Sequence, residues 1–220
     1  MKKLITNQQY KAMRNKPEFV ALIKAGRALN SITLAMRLLD ESKAGTSHLD
    51  QRQARKAITF LAGFCHEGRL LAQELHDTFT GKSYVSGFAS LLGSAFDDER
   101  KLLGKIRNGV SFHLDHEDKT VKKVLNEIES LGADDTDEIE FYESSTPAVR
   151  DFSFAFGDLL DFNYMIIKSA ELFGLSGISD VEQREDQSIE KLQTSIHEFS
   201  NTLVKALDEF MNGLITELGI

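Results

Sequence analysis

The apolar residues Ile189, Leu192, Ile196, Phe199, Leu203, Leu207, Phe210, Leu214 and Leu218 recur every three or four positions. That spacing places them on one stripe of a single long α-helix, which has to bury the stripe against other helices or a second chain. Packing onto the rest of the chain is the simpler outcome, and a dimer interface is the alternative. A helix of this length governs the fold, and the rest of the chain is read around it.

Only Pro17 and Pro147 interrupt the 220 residues, which suits further long helices. Pro17 is a favoured first-turn residue, so a first helix is expected from there through Phe19, Ile23, Leu29, Ile32 and Leu39, ending at Gly45-Thr46-Ser47. Asp50 can cap a second helix carrying Ile58, Leu61, Cys65 and Leu71. After a turn at Thr80-Gly81-Lys82-Ser83, a third helix carries Val85, Phe88, Leu92, Phe96 and Leu103 toward Ile106, with Gly109 placed to break it. Asp115 can cap a fourth, whose stripe is Val121, Val124, Leu125, Ile128 and Leu131. Residues 134–146 are acidic and irregular, with a brief extended segment at 139–142, and a phenylalanine-rich helix is expected over 148–173.

The expected fold is therefore all-α, an antiparallel bundle of about six helices with a long C-terminal helix. It forms one unit over 1–220, with a core bundle at 17–131 and an acidic helical part at 134–220.

No run approaches the roughly 18 apolar residues that a membrane span requires. The N-terminus has lysines but lacks the apolar segment of a signal peptide. Cys65 is the single cysteine, which excludes an intrachain disulfide and disfavours thiolate metal sites. A cytoplasmic protein without membrane partners is expected. The net charge of −8 conceals a division: residues 1–123 hold 21 Lys+Arg against 13 Asp+Glu, and residues 124–220 hold 5 against 21. The two halves either neutralise each other across the fold or a dimer, or leave a basic half to meet phosphates.

Chemistry concentrates in Arg107-Asn108-Gly109-Val110-Ser111-Phe112-His113. Arginine presents a planar fork of donors to phosphate at any relevant pH, and histidine exchanges a proton near pH 7. Spacing alone carries little weight; the asparagine directly after arginine and the helix-end setting add to it. Were 107–113 one continuous α-helix, the two side chains would stand about 120° apart around the axis and about 9 Å apart along it. They would then need either a broken helix or a second subunit to act on one phosphate. Other readings remain open at this point: Arg107 paired with Asp97, Asp98 or an acidic residue of 134–143, and His113 as a loop histidine capping carbonyls.

The arrangement of Arg107, Asn108 and His113, with five residues between Arg and His, resembles the HEPN superfamily of helical proteins. The phrase Ile-Arg-Asn-Gly-Val-Ser-Phe-His-Leu-Asp is similar to that of abortive-infection and toxin-type members. What the resemblance implies is a metal-independent endoribonuclease in which the RNA 2′-hydroxyl attacks its own phosphate. It leaves a 2′,3′-cyclic phosphate and a 5′-hydroxyl. His113 would then serve as general acid or base, Arg107 would stabilise the phosphorane and Asn108 would orient its neighbours. The resemblance also implies a homodimer with facing motifs, and a defence or toxin–antitoxin setting with an antitoxin partner.

Lys101, Lys105 and Lys119 are candidate contacts for the RNA backbone, among the flanking cations Arg100, Lys122 and Lys123. No cofactor and no metal are expected: His113, Asp115, His116 and Glu117 sit in near-consecutive positions whose directions diverge. Two rivals from other classes are a non-catalytic helical protein that docks a partner and a regulator that binds a nucleotide through Arg107.

Overall fold

The computed structural model describes residues 5–43, 48–111, 143–144, 152–153 and 155–220. The expected cap at Asp115, the stripe Val121–Leu131 and the extended segment at 139–142 lie outside them. The described chain is all-α, with seven α-helices: α1 (Asn7–Met13), α2 (Pro17–Lys43), α3 (His48–Thr78), α4 (Ser86–Leu92), α5 (Asp97–Ile106), α6 (Ala155–Leu172) and α7 (Val181–Leu218). Two-residue segments Glu143–Ser144 and Phe152–Ser153 pair antiparallel, with Glu143 opposite Ser153. The apolar helix expected over 148–173 therefore starts later, at Ala155.

Helix α1 was not anticipated, although its signal is present. Thr6 accepts from the Gln9 backbone N–H at 3.1 Å, while the Gln9 side chain accepts from the Thr6 N–H at 2.8 Å. This reciprocal cap satisfies two donors that a helix start leaves without partners. Helix α2 begins at Pro17 as expected. Helix α3 begins at His48, so Asp50 lies inside the helix and is not its cap.

The expected third helix is divided. Gly93 adopts an extended conformation (ψ 175°) between α4 and a short 3-10 turn at Ser94–Phe96. Arg100 Nη1 donates to the Leu91 carbonyl at 3.0 Å, satisfying one of the acceptors that the end of α4 exposes. Asp97, Asp98 and Glu99 then open α5, where the helix dipole favours negative charge.

The stripe on α7 is the centre of the core. Leu192, Phe199, Leu203, Leu207, Phe210 and Leu214 are fully buried, and α7 packs against α2, α3, α4, α5 and α6. Packing onto the chain's own helices therefore accounts for the stripe. The helix starts earlier than its apolar stripe because Asp180 accepts from the Gln183 N–H at 2.9 Å, and it ends at Gly219 in the left-handed region (φ 70°). Phe210 meets Phe79, Tyr84 and Phe88 with ring centroids 5.4–5.6 Å apart.

Close approach of helices to α7 is allowed at Gly68, where a methyl group would sit 2.9 Å from Leu203. At Gly213 it would sit 2.4 Å from Tyr84.

The divided charge is joined across the fold. Lys56 meets Asp161 at 2.9 Å, Lys82 meets Glu217 at 2.7 Å and Lys105 faces Glu171 at 3.7 Å, each linking the basic half to the acidic half.

Helix α2 differs from the expectation that no segment could span a bilayer: its length and apolar composition suffice. One face is core, with Ala25, Ile32 and Ala35 buried against α3 and α7. The other exposes Val20, Ile23, Leu34 and Leu38.

Candidate functional site

Arg107 opens a π-helical segment, Arg107–Ser111, that continues directly from α5. A π turn closes i→i+5 hydrogen bonds, and such turns gather at functional sites. The helix thus widens at the motif, where a break at Gly109 was expected. The reason for glycine there is a neighbour on α6. A methyl group on Gly109 would sit 2.6–2.9 Å from Cε1, Cζ and Oη of Tyr164. Gly109 is a contact glycine.

The guanidinium of Arg107 is fixed from α3. Its Nε donates to Glu67 Oε1 at 2.8 Å, and its Nη1 donates to Asn108 Oδ1 at 3.1 Å. The Arg107 side chain remains 28% exposed. Asp97 and Asp98, the other candidate partners, are engaged by Arg100 and Lys101 on their own helix. Arg107 and Asn108 are therefore brought together. His113 lies outside the described residues, as do Lys119 and the group Asp115, His116 and Glu117.

Lys101 is an exposed residue held by Asp98 at 3.0 Å. Lys105 points toward α6, where Glu171 stands between it and the buried Lys168. Lys168 Nζ donates to both Glu171 oxygens at 2.7 Å and lies 5.6 Å from the centre of the Tyr164 ring. The π segment is thus seated between Glu67 on one side and Tyr164 on the other.

His66, next to Glu67, faces Gly104 of α5. Among the described residues, His66 Nδ1 and Arg69 Nε are buried without a hydrogen-bond partner. Burial holds the His66 imidazole below its ordinary value, helped by the positive charges of Arg69 and Arg107 and opposed by Glu67. It therefore stays neutral beside the Arg107–Glu67 pair. Burial of Cys65 pushes its thiol far above the usual range, which leaves it inert as a nucleophile.

Glu67, Tyr164 and Glu171 are the site residues that sequence reasoning did not find. Glu67 reads as an ordinary helix-surface carboxylate, and nothing local to it marks a partner 40 residues away.

No family model, curated protein or solved structure matches the chain.

Beside the site, a groove of about 330 Å³ runs between α2 and α3. Its lining includes Lys24, Arg27, Phe64, Glu67, Leu71 and Glu74.

Proposed function

We propose that the chain is a HEPN-like, metal-independent endoribonuclease of the cytoplasm, in which Arg107, Asn108 and His113 act on the scissile phosphodiester. The observation that supports this most is the preorganised pair at the widened end of α5. Arg107 is partly exposed, yet Glu67 and the Asn108 side-chain oxygen Oδ1 hold its guanidinium. A guanidinium fixed before the substrate arrives does not have to be ordered during the reaction, and that is how a charged donor lowers the barrier to a phosphorane. In this reading His113 moves the proton of the 2′-hydroxyl or of the leaving oxygen, and a second copy of the chain supplies a facing motif. The toxin role, with an antitoxin holding activity in check, belongs to the same proposal.

The test is cleavage of single-stranded RNA by purified protein in EDTA, with the ends identified chemically. The expected products carry a 2′,3′-cyclic phosphate and a 5′-hydroxyl. Arg107→Ala and His113→Ala each lower the rate by about a hundredfold or more while the circular dichroism stays that of the parent. Intact RNA across varied substrates with a folded protein overturns the reading.

A second reading, a non-catalytic helical protein that docks a partner, draws on α2. Its outward stripe of Val20, Ile23, Leu34 and Leu38 is an apolar surface of the kind that partner helices cover. Intact RNA in the same assay favours this reading.

A further inference from the structure

The groove between α2 and α3 has a charge balance that points to a ligand. Four charged side chains line it. Lys24 and Glu74 satisfy each other across it at 2.6 Å. Glu67 is engaged by Arg107 at 2.8 Å. That leaves Arg27, an exposed guanidinium with no ion-pair partner among the described residues.

The geometry ties the groove to the site already described, because Glu67 is both a wall of the groove and the anchor of Arg107. Lys24 meets Glu74 and Ile32 lies against Gly68, so α2 runs antiparallel to α3 and Arg27 comes about level with Leu71. Leu71 lies about 6 Å along α3 from Glu67 by helix rise, close to the stride between neighbouring phosphates of an extended strand. Phe64 and Leu71 supply aromatic and apolar lining. An unmatched guanidinium opening on such a groove is a charge-assisted phosphate contact of the kind that holds single-stranded nucleic acid by its backbone.

We infer that the α2–α3 groove is a binding subsite for single-stranded RNA, in which Arg27 holds a backbone phosphate adjoining the one at Arg107. The inference rests on the ribonuclease reading for its substrate, and it commits to one occupant, an RNA strand leaving the Arg107 site along α3.

The experiment is fluorescence anisotropy of a labelled oligouridine in EDTA, titrated with the full chain over a range of salt concentrations. Arg27→Glu is compared with Arg37→Glu, which makes the same change of net charge at an exposed position of α2 outside the groove lining. The parent protein binds, and Arg27→Glu weakens binding by about tenfold or more, the loss of one charge-assisted contact and its replacement by repulsion. The dependence of log K on log salt becomes shallower by about 0.7, one single-strand phosphate. Arg37→Glu changes the affinity less than about twofold, as for a charge contributing only at long range. Unaltered thermal unfolding of Arg27→Glu shows that the fold persists. Equal affinity and salt slope for the parent and Arg27→Glu overturn the inference, and so does a parent protein that binds no RNA. Binding lost in Arg27→Glu, from a parent that never cleaves, supports the groove and sinks the catalytic reading alone.

Discussion

At Gly109 the absent side chain carries the constraint. Tyr164 occupies the volume that a Cβ would need, so Gly109→Ala forces the π segment and α6 apart. Overpacking of this kind costs about 1–3 kcal/mol, partly offset by the better helix propensity of alanine. The expected net result is a lower urea midpoint with an unchanged m-value. Adding Tyr164→Leu to Gly109→Ala recovers part of the loss, which a double-mutant cycle would show as strong coupling. His66 makes a separate prediction. Its folded-state value lies below its unfolded value of about 6.5, so the unfolded chain takes up a proton first as pH falls. Stability is therefore full above that window and declines as pH drops from about 7.5 to 5.5. His66→Gln removes that part of the decline, measured as the difference in urea unfolding free energy between the two pH values. The lowered values of Asp77 and Glu217 act in the more acidic carboxylate range, so the windows separate.

Among the elements, α7 bears the energetic weight. Phe199 is fully buried and its ring stands perpendicular to Phe96 with centroids 5.4 Å apart. Phe199→Ala leaves a cavity between α7 and the short turn before α5 and costs about 3–5 kcal/mol, read as a fall in the urea midpoint. The stripe on α7 was legible from spacing because helical periodicity is a local property, and so was the Pro17 start of α2. The division of the third helix at Gly93 was not legible. It depends on Arg100 reaching back to the Leu91 carbonyl, and a periodic apolar pattern runs through such a break without a mark. Helix α1 carries a readable signal in its Thr6…Gln9 cap, but it is short and mostly exposed, so no apolar stripe marks it.

For the whole molecule, one hydrophobic cluster gathers residues from Met13 to Leu214. Both ends of the chain contribute to the same core, and Lys56–Asp161, Lys82–Glu217 and Lys105–Glu171 bind the basic half to the acidic half. Deleting the chain after Ser179 removes α7 and uncovers the apolar faces of α2, α3 and α4 together. The expected outcome is loss of the cooperative thermal transition in circular dichroism; a truncated chain that still melts sigmoidally would show that the remaining helices hold a core of their own. The sequence alone settled the all-α class and the course of the long helices, because helix periodicity and caps act over a few residues. It also singled out Arg107 and Asn108, which are neighbours in the chain. Tertiary packing decided that Glu67 holds Arg107, that Tyr164 requires glycine at 109, and that the α7 stripe is core. Each of these joins residues far apart in the chain, and such partners are chosen by how helices pack rather than by any local pattern.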